Sequence, residues 1–130
     1  MKKKIIIVED DTVTGRLYQT HLQKAGFEVE IAVDGNAGLK RITEDPPAGV
    51  LLDLMMPGIN GLDLLKKLRA IPALQNLPVF VYTNAFIPAM REQAKLAGAT
   101  EAEPHFVIRF AAGGIIRVTE FARNVEHVFF

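Results

Sequence analysis

Three acidic residues, Glu9, Asp10 and Asp53, each lie just after a short apolar segment of the sequence. Carboxylates that come together repel one another unless a cation or a proton neutralises them. A set of oxygen donors without cysteine or histidine nearby favours Mg²⁺, with Ca²⁺ or Mn²⁺ as less suitable ions. Beside such an ion, an Asp carboxylate can attack a phosphorus atom and form an acyl phosphate. Thr83 could then donate its hydroxyl to the equatorial oxygens of the phosphoryl group.

Each of these residues also has an ordinary structural interpretation. Acidic residues directly after a strand often cap the next helix, and Asp11 or Thr12 is predicted to begin a helix that runs to Ala25. A threonine after a strand more often stabilises a turn than binds phosphate. The chemical interpretation therefore depends on whether the fold brings the strand ends together.

The apolar segments that precede these residues indicate strands. Continuous apolar runs are typical of central strands in a parallel sheet covered on both faces, and they occupy residues 4–8, 49–52 and 77–82. Residues 27–31 alternate instead, as an edge strand does. Helical patterns lie between and after these strands. They are predicted to end at Gly26, before Pro72 and at Gly98, and a last helical face is formed by Val118, Phe121, Val125 and Val128.

The order of these segments predicts the fold class. Five successive βα units indicate an α/β fold with a parallel sheet. Right-handed crossovers favour a flavodoxin-like (βα)5 three-layer sandwich, whose five-stranded sheet has the order 2-1-3-4-5. Strands one and three are neighbours in this order, and ligands bind outside the carboxyl ends of such strands. Glu9, Asp10 and Asp53 are therefore expected to converge on one crevice.

The composition excludes several other kinds of site. The chain of 130 residues has no cysteine, which removes disulfides, thiol catalysis and thiolate metal sites. Its 15 basic and 15 acidic residues balance, so no global positive field attracts nucleic acid or anionic lipid. The apolar stretch after the basic start is too short for a signal peptide or a membrane span. We therefore expect a cytoplasmic protein that binds neither nucleic acid nor membranes.

At these residues the sequence resembles the receiver domain of two-component response regulators. Residues 5–11, IIIVEDD, are similar to the family's first strand and acidic pair, and residues 53–61, DLMMPGING, are similar to its phosphoacceptor turn. Thr83 stands at the spacing from Asp53 at which the family has its switch Ser or Thr. The resemblance implies one receiver domain over residues 1–130, with a poor match after about residue 100.

The resemblance implies a role for each matching residue. Asp53 would accept the phosphoryl group, and it would hold Mg²⁺ together with Glu9, Asp10 and the backbone carbonyl of Met55. Thr83 would bind a phosphoryl oxygen as the switch residue. A sensor histidine kinase or a phosphotransfer protein would supply the phosphoryl group, and an unknown downstream protein would receive the signal by direct contact. Such a response regulator catalyses only its own phosphorylation and dephosphorylation, and would be a monomer or a weak homodimer.

Two positions depart from the family pattern. The family has a Lys at the end of strand five, whereas this chain has no Lys after Lys95. Counting without an insertion puts His105 in that position; a four-residue insertion aligns residues 106–109 with the strand and puts Arg109 there. The insertion is favoured because it gives a more apolar strand, although the planar fork of an Arg fits poorly in a site shaped for a point charge. Asn84 replaces the usual small residue and either contacts the phosphoryl group or caps a turn.

Other functions are compatible with parts of this pattern. The missing Lys is compatible with a pseudo-receiver, an interaction domain that is never phosphorylated, but the acidic residues and Thr83 together argue against it. Haloacid-dehalogenase-type hydrolases usually carry a second Asp two residues after the nucleophile, where this chain has Met55. A flavodoxin is disfavoured because acidic strand ends repel the phosphate of the flavin.

Overall fold

The computed structural model describes residues 2–54, 56, 60–82, 93, 96–98 and 101–102. Strands and helices alternate along this part of the chain. The strands are β1 Lys4–Val8, β2 Glu28–Ala32, β3 Gly49–Asp53, β4 Val79–Tyr82 and β5 Glu101–Ala102. The helices are α1 Thr12–Lys24, α2 Gly35–Glu44 and α3 Gly61–Arg69, and a short 3₁₀ helix, η1 Pro72–Leu74, follows α3.

The five strands form one sheet in the order β2-β1-β3-β4-β5, and every neighbouring pair is parallel. The predicted strand order is therefore confirmed. Ile7 of β1 lies opposite Leu51 of β3, and Asp53 lies opposite Tyr82 of β4. Because the strands run in the same direction, the carboxyl ends of β1, β3 and β4 meet at one edge of the sheet.

Side chains that alternate along each strand form a hydrophobic core on each face of the sheet. On one face, strand residues such as Ile6 and Leu52 pack against α2 and α3 through Ile42, Leu64, Leu65 and Leu68. On the other face, Ile5, Ile7, Leu51 and Phe80 pack against Tyr18 and Leu22 of α1. Helices therefore cover both faces, which confirms the three-layer architecture.

Each of the helices α1, α2 and α3 begins with a polar cap in the segment that follows a strand. The side chains of Asp11, Asp34 and Asn60 accept hydrogen bonds from backbone N–H groups at 3.1, 2.7 and 2.9 Å, which satisfies donors that a helix leaves unpaired. The predicted cap at Asp11 is confirmed, and Gly26, with φ 100°, follows the end of α1 as predicted. Within the described ranges, none of the helices has the length and apolar content needed to span a bilayer.

The fifth strand begins earlier than the sequence predicted. β5 is Glu101–Ala102, and these residues pair with Phe80 and Val81 of β4. The sequence pattern favoured residues 106–109 for this strand, and that predicted start was wrong. An edge strand is held by its backbone hydrogen bonds, so apolar content is a poor guide to its position. His105, Arg109 and the predicted last helix lie outside the described residues.

Arg69, the last residue of α3, connects three segments. Its Nε donates to the carbonyl of Gly98 at 2.8 Å, and its Nη1 donates to the carbonyls of Leu74 at 2.8 Å and Gln75 at 3.2 Å. Gly98 has φ 99°, which marks the predicted end of the preceding helical segment. The guanidinium thereby fixes the end of α3 against η1 and the turn that leads into β5.

An ion-pair network joins β1, β2 and α2. Glu30 of β2 accepts from Nε of Arg41 at 2.6 Å and lies 2.9 Å from Nζ of Lys4, which also contacts Asp45 at 3.3 Å. Hydrogen bonds from Arg41, and then from Lys4, lower the pKa of Glu30 to about 2. The ionised carboxylate therefore stabilises the folded state more than the protonated one.

We predict that Glu30→Gln removes a stabilising contribution that depends on pH. A carboxylate whose folded pKa is lowered contributes stability above its unfolded pKa, and that contribution is lost as pH falls from about 4.5 towards 2. Urea unfolding should show a difference between wild type and variant that is constant at neutral pH and shrinks over that acidic range. Glu28→Gln, at an exposed position of the same strand, is the control. A difference in stability that does not depend on pH would contradict the conclusion that the ion pairs lower the pKa of Glu30.

Replacement of each of two helical glycines by alanine should change the stability of the protein in opposite directions. A Cβ on Gly15 would lie 3.6 Å from Ile31, an ordinary contact, so Gly15→Ala should stabilise the protein by about 1 kcal/mol through helix propensity. A Cβ on Gly38 would lie 2.9 Å from the stiff, buried side chain of Val8, where overpacking costs about 1–3 kcal/mol. Gly38→Ala should therefore be destabilising in chemical denaturation. Equal effects of the two variants would contradict this packing.

Candidate functional site

Glu9, Asp10 and Asp53 form a cluster at the carboxyl edge of the sheet. Each offers one carboxylate oxygen, and these three oxygens lie within 4.8 Å of one another. Glu9 and Asp53 are each 1% exposed, whereas Asp10 is exposed to solvent. The predicted convergence of the three carboxylates is therefore present, with Asp10 on the solvent side.

The cluster follows from the register of β1 and β3. The N–H of Glu9 donates to the carbonyl of Ala32 at 3.0 Å, so the parallel pairing with β2 continues one residue beyond β1. Because alternate residues share a face, Glu9 lies on the face of Ile7, and Asp53 lies on the face of Leu51. These are the strand residues that pack beneath α1, so the two buried carboxylates extend the α1 side of the core.

The start of α1 positions Glu9. The N–H of Asp11 donates to Oε2 of Glu9 at 3.4 Å. The carboxylate of Asp11 itself accepts hydrogen bonds from the hydroxyl and the N–H of Thr14, and these bonds lower the pKa of Asp11. Asp11 therefore serves as the helix cap, as predicted, while its backbone supports the neighbouring acidic group.

Gly61 allows the first turn of α3 to rest directly on the backbone of Asp53. Its N–H donates to the carbonyl of Leu54 at 3.2 Å. A Cβ at this position would lie 2.2 Å from the carbonyl oxygen of Asp53 and 2.6 Å from Cα of Leu54. The sequence pattern identified a glycine after the turn, but it did not predict this contact, which depends on how the chain folds back after β3.

The donor set of the cluster fits a hard divalent cation. Carboxylates this close together, two of them buried, are unfavourable until positive charge or a proton compensates them. All the donors are oxygens, which suits Mg²⁺, and this ion usually keeps several waters and takes only one or two carboxylates. The exposed position of Asp10 leaves the site open on the side where water would complete the coordination.

The other predicted site residues lie outside the described residues. Thr83 follows Tyr82, which pairs with Asp53 across the β3–β4 ladder. Four roles therefore stay predictions: those of Thr83, of the carbonyl of Met55, and of the phosphate-binding candidates His105 and Arg109.

Tyr18 of α1 was not identified by the sequence patterns. It is 1% exposed and packs in the core between α1 and the sheet. Burial raises the pKa of its phenol, and the negative charges of Glu9 and Asp53 raise it further. A signal for it exists in the sequence: Tyr18 places a polar group on a helix face otherwise formed by Gly15 and Leu22.

Comparison with known proteins agrees with this geometry. The sequence model of the response regulator receiver domain matches residues 5–102 of the chain. The chain belongs to the response regulator receiver family. The resemblance drawn from the acidic residues is thus confirmed, and receiver domains act as phosphoacceptor modules in two-component signalling. Membership favours this role over the hydrolase and flavodoxin alternatives.

A sequence relative agrees with this family, and solved structures show the same fold. The phosphate regulon transcriptional regulatory protein PhoB of Rhizobium meliloti is 32% identical over 101 residues, which cover 78% of this chain and 44% of PhoB. The chain thus spans less than half the length of this relative. The chemotaxis response regulator CheY4 of Vibrio cholerae superposes with a TM-score of 0.81 at 23% identity, covering 96% of this chain and 99% of CheY4. The Mn²⁺-bound response regulator Rcp1 gives 0.74 at 24% identity, covering 88% and 91%.

We predict that Gly61→Ala destabilises the receiver domain and weakens divalent-ion binding. The added Cβ meets backbone atoms of Asp53 and Leu54, so β3 or α3 must shift, at a cost of about 1–3 kcal/mol or more. Chemical denaturation and Mg²⁺ titration by calorimetry measure the two effects. Gly38→Ala, which should also be destabilising but whose Cβ meets side chains of Val8 and Leu64 and not the backbone of Asp53, is the matched control. If the Gly61→Ala variant had the stability and the Mg²⁺ affinity of wild type, the close approach of position 61 to the backbone of Asp53 and Leu54 would be contradicted.

Proposed function

We propose that this protein is a phosphoacceptor receiver in a two-component phosphorelay, in which Asp53 is phosphorylated in a Mg²⁺-dependent reaction. The observation that carries the proposal is the convergence of Glu9, Asp10 and buried Asp53 within 4.8 Å at the carboxyl edge of a receiver fold. A nucleophilic Asp beside a cation-binding pair is the arrangement that acyl-phosphate formation requires.

Each residue of the cluster has a distinct part in the proposed reaction. A carboxylate oxygen of Asp53 attacks phosphorus of the phosphodonor, the new O–P bond forms, and the bond to the leaving group breaks with its electron pair. Asp53 itself is 1% exposed whereas Asp10 is exposed, so the phosphodonor would approach the carboxylate of Asp53 from the side of Asp10. Glu9 and Asp10, with Asp53 and the carbonyl of Met55, would hold Mg²⁺, which when bound neutralises charge on the phosphoryl oxygens.

Residues beyond the cluster complete the proposal. Thr83 supplies the hydroxyl that binds a phosphoryl oxygen and acts as the switch. His105 is preferred to Arg109 as replacement for the family's Lys, because the early start of β5 favours the count without an insertion. A protonated imidazole or a guanidinium at this place would pair with the phosphoryl group.

The partners follow from the phosphoryl chemistry. Receiver domains interact with histidine kinases or phosphotransfer proteins, and such a protein is proposed as the phosphodonor here. Residues 1–130 are proposed to form one receiver domain whose phosphorylated state is recognised by a downstream protein through direct contact. The acyl phosphate would shift the population of two conformations, as in other two-state switches.

Phosphorylation can be tested directly by intact mass. Incubation with Mg²⁺ and a small acyl phosphate should add about 80 Da, the mass of one phosphoryl group. Asp53→Asn should abolish the adduct, and Asp63→Asn, at an exposed position of α3, should retain it. Chelation of Mg²⁺ should prevent the reaction in wild type.

Three other outcomes would overturn the proposal. No adduct with any donor would leave the pseudo-receiver as the function of the domain. An adduct that persists in Asp53→Asn would move the phosphoacceptor to another residue. Continued turnover of excess donor at enzymatic rates would favour a hydrolase.

A further inference from the structure

Asn60 and Gly61 form an Asn–Gly pair at the start of α3. The chain has five asparagines, and Asn60 is the only one that a glycine follows. In such a pair the backbone nitrogen of the glycine can attack the side-chain amide of the asparagine, because no side chain shields that nitrogen and the glycine backbone is free to rotate. Asn60 is exposed, so water reaches its amide group. The pair therefore has the chemical groups that spontaneous deamidation requires.

The folded domain engages both reacting groups in hydrogen bonds. Oδ1 of Asn60 accepts from the N–H of Asp63 at 2.9 Å, which keeps the amide group in the helix cap. The N–H of Gly61 donates to the carbonyl of Leu54 at 3.2 Å. Ring closure requires this nitrogen to lose its proton and the side-chain carbon of Asn60 to turn towards it. Both hydrogen bonds therefore have to break before the reaction can proceed.

The main chain around Gly61 also leaves no room for ring closure. In the ring, the nitrogen of Gly61 carries a carbon atom in place of its hydrogen. That hydrogen points at the carbonyl oxygen of Leu54, which lies 3.2 Å from the nitrogen, so a carbon bonded there would overlap the oxygen. The turn cannot move aside, because Gly61 approaches the backbone so closely that a Cβ would lie 2.2 Å from the carbonyl oxygen of Asp53. Ring closure therefore needs the turn to separate from β3.

We propose that the Asn60–Gly61 pair is a latent deamidation site, which the folded start of α3 keeps unreactive and which reacts when this turn opens. The nitrogen of Gly61 then loses its proton and bonds to Cγ of Asn60. Nδ2 leaves with the electrons of its bond to Cγ and takes up a proton to form ammonia. Water adds to one of the two carbonyl carbons of the ring and breaks the bond between that carbon and nitrogen. The products at position 60 are aspartate and isoaspartate, and each carries one additional negative charge.

The isoaspartate product does not fit the folded domain. Its main chain contains one extra carbon atom between residue 60 and Gly61, at the point where Gly61 contacts the backbone of Asp53 and Leu54. The first turn of α3 therefore cannot return to its place. An opening of this turn becomes permanent once the ring has formed, so the amount of product records how often the turn has opened. This inference goes beyond the proposed function and does not depend on Mg²⁺ binding.

The first test compares deamidation in folded and unfolded protein by mass spectrometry. Wild type is incubated in mildly alkaline buffer, with and without enough guanidinium chloride to unfold it, and each conversion adds about 1 Da. Peptide mapping should locate the change at residue 60. The rate in denaturant should exceed the native rate at least about tenfold, because two hydrogen bonds protect the folded site. Absence of conversion in denaturant would overturn the site, and equal rates would overturn its protection by the fold.

Asn60→Ser is the control for the position of the reaction. Serine has no amide group, but it caps helices about as well as asparagine does. The variant should therefore fold, and its peptide that contains residue 60 should gain no mass in either condition. A gain of the same size in the variant would assign the reaction to another residue and overturn the proposal.

A second variant tests the contribution of the bond to Leu54. Asp34→Asn, made together with Asn60→Ser, creates an Asn–Gly pair at the start of α2, where the cap accepts from the N–H of Ala37 at 2.7 Å. Within the described part of the chain, the N–H of Gly35 donates to no backbone carbonyl. Native conversion at residue 34 should therefore be faster than at residue 60 of wild type. Equal or slower conversion would overturn the protective role of Leu54.

The effect on folding is measured after removal of the denaturant. The aspartate, isoaspartate and unconverted forms of wild type are separated by chromatography, and their unfolding by denaturant is compared. The aspartate form should keep most of the original stability, because aspartate is also a good helix cap. The isoaspartate form should unfold at a lower denaturant concentration or not refold. An isoaspartate form as stable as the unconverted protein would overturn the proposed consequence for α3.

Discussion

Glu9, Asp10 and Asp53 bring like charges within 4.8 Å of one another, and two of the three are almost excluded from water. Two unit charges about 4 Å apart repel by about 1 kcal/mol in bulk water and by about 4 kcal/mol near a protein surface. This repulsion opposes folding, so the remaining structure has to supply stability that exceeds it. The same repulsion favours any cation that enters the site, which makes the domain more stable when it is loaded than when it is empty.

The core on both faces of the sheet supplies that stability. Four residues of β1 directly before Glu9 are fully buried: Ile5, Ile6, Ile7 and Val8. Complete burial of such a side chain contributes about 1.5–3 kcal/mol, so a few residues of the central strands offset the repulsion of the cluster. The carboxylates are thus attached to the ends of strands whose apolar residues are all buried. Rigid strands also fix the distance between the groups, which a metal or phosphoryl site requires and a flexible loop does not provide.

The sequence predicted what depends on local patterns and on general rules of parallel sheets. Strand order, the cap at Asp11 and the convergence of Glu9 with Asp53 belong to this group. The bounds of α2 were not predicted, because Gly35 and Gly38 weaken its helical pattern. The predicted start of β5 was wrong, because backbone pairing determines the position of an edge strand that has little apolar character. The contact of Gly61 with Asp53 and the location of Tyr18 beneath the cluster depend on tertiary packing, which no local pattern records.

The surroundings of the glycines also determine which substitutions a second change elsewhere in this chain can compensate. A Cβ on Gly38 meets the side chain of Val8, so a second substitution that places a smaller residue at position 8 could restore the fit. A Cβ on Gly61 meets the main chain of Asp53 and Leu54, which every amino acid shares. No second substitution there removes those atoms. No side-chain substitution therefore compensates for a change at position 61, and loss of this glycine requires the backbone around Asp53 to move.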